Sequence, residues 1–99
     1  MEGQPEAFWS SRAIRDLENI IHYLETYWSE KEVKTFKVKL NKAITLISTR
    51  PKLFRLTNYR KNLRRCVLSK QTTIYYNEVE TKIYIVSLFD NRRNPANMR

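Results

Sequence analysis

The chain has 99 residues, 41% hydrophobic and 12% aromatic, with 19 Lys and Arg against 10 Asp and Glu and a formal net charge of +9. That length suits one compact domain (1–99) with a core of modest size, and the apolar content excludes a chain disordered throughout. A single Gly and three Pro exclude a glycine-rich nucleotide loop, because backbone amides approach a phosphate closely only where several residues lack a Cβ.

The positive charge is lopsided. Residues 1–40 carry six basic and seven acidic side chains, residues 41–99 thirteen and three. The field of the second half therefore calls for an acidic partner. No run of about 18 apolar residues exists, and Met1–Pro5 lacks the basic and apolar stretches of a secretory signal, so a cytoplasmic protein is expected.

In chain order, Ala7-Phe8-Trp9 is a short edge strand limited by Pro5. From Arg12 to Trp28 the residues Ile14, Leu17, Ile20, Ile21, Leu24 and Trp28 recur every three or four positions, which lines one face of a helix capped by Ser10 or Ser11. A second helix starts at Ser29, where Glu32 completes a capping box, and its inward stripe is Val33, Phe36, Leu40, Ala43, Ile44 and Ile47. The corner Trp28-Ser29-Glu30 is too short for anything but an antiparallel helical hairpin. Arg50-Pro51 ends the second helix, since the residue before a proline is pushed out of the α region.

Residues 51–62 show no clean period and read as a basic ordered connection pinned by Leu53, Phe54 and Leu56. Three β-rich segments follow, Leu63–Ser69, Thr72–Val79 and Lys82–Phe89, separated by turns at Lys70-Gln71 and Glu80-Thr81. The expected fold is α+β, in the order β-α-α-β-β-β, with the helical hairpin on one face of an antiparallel sheet. The tail from Asn91 to Arg99 is polar and expected to be loosely held.

Chemistry-bearing residues are sparse. His22 is the only histidine and has no Ser or Cys partner beside it, so a surface or packing role is expected. Cys66, in an apolar strand, reads as a small buried hydrophobe. One His and one Cys far apart cannot supply three or four metal ligands, and neither a metal nor any other cofactor is expected. Glu78 and Glu80 sit at a strand end and turn, where solvated charge is the ordinary reading.

What remains is the basic set Arg50, Lys52, Arg55, Arg60, Lys61, Arg64, Arg65 and Lys70, joined by Arg92 and Arg93. As a group these suit phosphates or an acidic peptide, with Tyr59, Tyr75, Tyr76 and Tyr84 interleaved as stacking surfaces. Tyr76 shares a strand face with Ile74 and is assigned to the core. Arg64 and Arg65 are adjacent on a strand and must point to opposite faces, so only one of them meets a given partner while the other is solvated or paired with an acid.

The order and spacing of Trp9-Ser10, Ala13, Asp16-Leu17-Glu18, Tyr23-Leu24, Trp28-Ser29-Glu30, Arg50-Pro51 and Phe89-Asp90-Asn91-Arg92-Arg93-Asn94-Pro95 resemble the RelE/ParE toxins of bacterial type II toxin–antitoxin systems, over about residues 7–95. The resemblance implies a cognate acidic antitoxin that wraps and neutralises the chain in a hetero-oligomer. It also implies one of two targets, ribosome-bound mRNA for the RelE-like nucleases or DNA gyrase for the ParE-like inhibitors. For the nuclease branch Arg92 matches a tail arginine, but Thr73 stands where a strand arginine is expected, Met98 where a tyrosine falls, and Phe89-Asp90 where a His-Tyr pair would be. These departures favour a ParE-like growth inhibitor that binds gyrase. The alternatives are a metal-independent endoribonuclease, with catalytic candidates Arg64, Arg65, Asp90 and Arg92, and a non-toxic basic binding module; for Asp90, pairing with Arg92 or Arg93 is the more ordinary expectation.

Overall fold

The computed structural model describes residues 7–92 of the chain. Strand β1 (Ala7–Trp9) leads into helix α1 (Ser11–Tyr27) and helix α2 (Glu30–Thr49). A 3-10 turn over Pro51–Leu53 and strand β2 (Arg55–Leu56) connect these to the meander β3 (Leu63–Val67), β4 (Thr72–Val79) and β5 (Lys82–Asp90). The strands form one five-stranded sheet in the order β1-β5-β4-β3-β2, and the helical hairpin covers one of its faces.

The helix starts follow from their caps. Ser10 Oγ accepts the amide of Ala13 at 2.9 Å, and Ser29 Oγ accepts that of Glu32 at 3.3 Å, which is one of the two bonds of a capping box. Along α2 the expected stripe is the buried one, with Val33, Phe36, Leu40, Ala43 and Ile47 inside and Ile44 half-buried. These residues meet Cys66, Ile74, Tyr76, Ile83, Ile85 and Leu88 of the sheet in one core cluster.

Three features depart from the expected architecture. The sheet is mixed rather than antiparallel, because β1 pairs in parallel with β5, Phe8 opposite Tyr84. The chain returns from β1 to β5 through all the intervening elements, so no hairpin forces the two to run oppositely. The second is β2, which arises inside the segment without a period. Two residues carry no readable alternation, and Arg55 and Leu56 pair with Arg65 and Arg64 only because β3 offers a free edge.

The third concerns α1, whose buried face is turned by about one residue from the expected stripe. Ala13, Asp16, Ile20 and Leu24 are buried, whereas Ile14 and Trp28 are 46% and 47% exposed. Asp16 explains the turn. Its Oδ2 accepts the backbone amide of Leu88 at 3.1 Å, a bond across 72 residues, and Arg12 Nε stands 3.7 Å from the same oxygen.

This bond exists because β5 contains a bulge. Tyr75 pairs with Ser87 but Tyr76 pairs with Ile85, so Val86 is an extra residue and the alternation of the strand reverses there. Ile83 and Ile85 face the helices before the bulge, and Leu88 and Asp90 after it. The carbonyl of Val86 is taken by Ser10 Oγ at 2.7 Å, while Ser10 N donates to Ile85 O at 3.0 Å. The expectations for Met1–Pro5 and for Arg93 onward lie outside the described residues.

An amide left without its buried acceptor costs about 1–3 kcal/mol, whereas truncating an exposed side chain stays within about 0.5 kcal/mol. Urea denaturation of Asp16→Ala is therefore expected to show the larger loss and Ile14→Ala the smaller. This is the reverse of what the apolar stripe of the sequence implies.

Candidate partner-binding face

The side of the sheet away from the helices carries the cations and aromatics. Opposed residues of antiparallel strands share a face, so register fixes its rows. One row runs Arg55, Arg65, Tyr75, Ser87 across β2, β3, β4 and β5. A second holds Val67, Thr73 and Phe89, and a third Asn77, Tyr84 and Phe8. Phe8 and Tyr84 stack with centroids 5.5 Å apart, and Lys82 Nζ stands 5.8 Å from the centroid of Phe8. Tyr59 leans edge-on against Tyr75 at 6.1 Å.

Arg55 and Arg65 sit directly opposite each other, and among the described residues no acid pairs with either, an arrangement that disfavours the strand pair. They line a cleft of about 270 Å³ together with Leu56, Thr57, Asn58 and Tyr59. Thr57 Oγ1 is buried there without a hydrogen-bond partner. The two guanidinium groups of the cleft suit a phosphate or carboxylate oxygen.

The other sequence-predicted cations are dispersed. Arg64 points to the helix side, as the alternation requires, but among the described residues it pairs with no acid; its Nη1 donates to the carbonyl of Phe54 at 2.6 Å. Lys52 is bound to Glu78 at 3.1 Å. Arg50 is the C-cap of α2, Arg60 and Lys61 lie in the exposed turn before β3, and Lys70 is exposed between β3 and β4. Arg93 lies outside the described residues.

Arg92 does not join the basic face. Its Nη2 donates to Asp90 Oδ2 at 3.0 Å, while its Nε and backbone amide donate to Oδ1 at 3.3 and 2.9 Å. Thr72 Oγ1 donates to the same carboxylate at 2.8 Å. The guanidinium carbon then rests 5.3 Å from the ring centroid of Trp28, at the corner between the helices. Side-chain exposure is 14% for Arg92 and 1% for Asp90, so the pair is an internal fastening between the end of β5, the start of β4 and the helical corner.

Other titratable groups near the sheet serve packing. Cys66 is buried, and desolvation raises its thiol from 9.0 to about 11. Tyr76 is fully buried against Phe54, donates to the Pro51 carbonyl at 2.6 Å, and is also raised, first by burial. Tyr75 is raised from 10.0 by burial and then by Tyr59, with Arg65 opposing. His22 is exposed on α1, in the helical layer.

The sequence reading had Tyr59, Tyr75, Tyr84, Arg55 and Arg65 among its candidates but missed Phe8, Lys82 and Phe89 as surface residues. Period-two alternation places Lys82 beside Tyr84 and was the available signal. Phe89 was hidden by the bulge.

Two helices cover one face of a mixed five-stranded sheet, and the cations and aromatics of the other face are left open. The family model described as the ParE toxin of the type II toxin–antitoxin system parDE matches residues 7–95, and the chain belongs to that family. No curated protein matches it by sequence alone.

Solved structures share the fold at low identity. The chromosomal ParDE toxin–antitoxin system of P. aeruginosa contains a chain with TM-score 0.73 and 10% identity, covering 87% of this chain and 95% of that one. The E. coli DinJ-YafQ toxin–antitoxin complex gives TM-score 0.61 and 11% identity, covering 92% and 97%. The H. pylori protein HP0894 gives 0.53 and 13%, covering 89% and 96%.

Removing one partner of a buried ion pair costs about 3–5 kcal/mol, so Arg92→Ala is expected to lower unfolding free energy by that order in urea titration. Raised acids give a second test. The contribution of the Cys66 thiol is complete below its ordinary value of 9.0 and is lost as pH rises through about 11, so stability should fall over that window. Cys66→Ala should fall less steeply over the same window.

Proposed function

We propose that this ParE-type toxin inhibits growth by binding DNA gyrase without cutting nucleic acid, and that a cognate acidic antitoxin neutralises it. The observation that carries this reading is the fate of Asp90 and Arg92. A general base needs a free lone pair within reach of the proton it takes, and a phosphate-binding arginine needs a free fork. Asp90 already accepts four hydrogen bonds from Thr72 and Arg92, and Arg92 is spent on Asp90 and Trp28.

Among the described residues the open face offers no substitute. Tyr75 is held above its ordinary value, which makes its phenolate scarcer at neutral pH, and the one histidine lies in the other layer. Arg55, Arg65 and Lys82 supply attraction for an acidic surface, and Phe8, Tyr59 and Tyr84 supply aromatic contact area. The partner side of the proposal is supported by the DinJ-YafQ and ParDE structures, which are toxin–antitoxin systems. A charge of +9 is complementary to an acidic antitoxin.

Induced expression should arrest growth while primer extension on abundant transcripts finds intact mRNA. Purified chain should inhibit gyrase supercoiling, and Arg55→Ala/Arg65→Ala should weaken that inhibition by about tenfold or more, the equivalent of ~1.4 kcal/mol. Codon-phased cuts in ribosome-bound mRNA would replace this reading with the endoribonuclease. Absence of arrest would leave a binding module.

A further inference from the structure

Charge on this chain is segregated more sharply than its two halves suggest. Between Glu32 and Glu78 there are twelve Lys and Arg and no Asp or Glu. Four of these cations, Lys34, Lys37, Lys39 and Lys42, belong to α2, and Lys31 precedes them in its first turn. All five are exposed, and none takes part in an ion pair among the described residues.

On a helix, residues three apart are neighbours, so Lys31 and Lys34, Lys34 and Lys37, and Lys39 and Lys42 repel one another. Glu30, four residues before Lys34, offsets this in the first turn, but beyond Glu32 the helix has no acid to relieve the repulsion. The exposed side of α1 differs, since Arg15, Glu18 and Glu25 mix both signs there.

Apolar groups lie among these lysines. With 3.6 residues per turn, the direction opposite the buried stripe is occupied by Lys31, Lys34, Val38, Lys42 and Thr45, and Leu46 lies beside them. Val38 is 53% exposed and Leu46 39%. A shallow groove runs along Asn41, Lys42, Thr45, Leu46 and Thr49.

We infer that the solvent side of α2 is a docking strip for an acidic amphipathic segment of the antitoxin, with apolar side chains on Val38 and Leu46 and carboxylates on the flanking lysines. The inference rests on the toxin reading above and assigns the antitoxin a surface. Two features favour a peptide over nucleic acid. The strip has apolar side chains at its centre, which a phosphate backbone would leave unused, and it has no aromatic ring for base stacking. It also lies in the helical layer, on the side of the molecule away from the Arg55–Arg65 cleft, so a segment seated here leaves that cleft uncovered.

The test uses the full chain and the acidic protein encoded beside it. Lys34→Glu/Lys42→Glu should leave growth arrest by the toxin alone intact, abolish rescue by the co-expressed antitoxin, and raise the Kd of the purified pair at least about thirtyfold, roughly 2 kcal/mol. Arg55→Glu/Arg65→Glu is the control and should keep antitoxin affinity within about threefold, ~0.7 kcal/mol. A fold-independent readout comes from acetylating the wild-type complex: Lys34 and Lys42 should be protected relative to free toxin, and Lys61 and Lys70 should not.

Rescue and Kd unchanged in the α2 variant, or no protection of Lys34 and Lys42, would overturn the inference while leaving the toxin reading intact. Loss of arrest by a folded α2 variant with unchanged antitoxin affinity would overturn it and give the strip to the target. A wild-type chain that neither arrests growth nor binds the neighbouring protein would overturn both readings.

Discussion

The extra residue in β5 governs much of this structure. With Val86 bulged out, the strand alternation reverses, and Leu88 and Asp90 face the helices in place of Ser87 and Phe89. A bulge exposes backbone groups that the ladder no longer pairs, and α1 answers with two side chains. Ser10 takes the Val86 carbonyl and Asp16 takes the Leu88 amide, so the same two residues that open and anchor α1 also fix where β5 changes phase. A straight β5 would turn Asp90 onto the open face, away from Thr72 and Trp28.

The chemical character of the molecule follows from that geometry. Asp90, turned inward at the end of β5, is a buried carboxylate and must find donors; Thr72 and Arg92 supply them. Arg92 is thereby drawn to the helical corner and away from the cations of the open face. The open face keeps Arg55, Arg65 and Lys82 with the aromatic pairs Phe8–Tyr84 and Tyr59–Tyr75.

Much of the fold is legible in the sequence because the helices obey a simple period. Val33, Phe36, Leu40, Ala43 and Ile47 announce α2, and Ser29 with Glu32 announces its start. The strands β4 and β5 are equally readable from their β-branched and aromatic content. What escaped is what local pattern cannot encode. β2 is two residues long, the direction of β1 depends on a partner about 75 residues away, and a bulge is a property of two strands in register. Asp16 lies outside the apolar stripe of α1, and only the amide of Leu88, 72 residues away, gives it a reason to be inside. Among the cations, identity was readable and so was the pairing of Asp90 with Arg92, but the rest of their company was not. Arg55 and Arg65 meet only through β2, Lys52 meets Glu78 at the surface, and Arg64 is committed to the carbonyl of Phe54.

Arg92 acts as a fastening rather than a free phosphate ligand, and NMR of its guanidinium group tests this directly. The structure predicts a slowly exchanging Arg92 Nε–H with a resolved signal at neutral pH and nuclear Overhauser contacts from the Arg92 side chain to the indole of Trp28. A rapidly exchanging Nε–H without contacts to Trp28, shifting instead when RNA is added, would contradict it and return Arg92 to the open face.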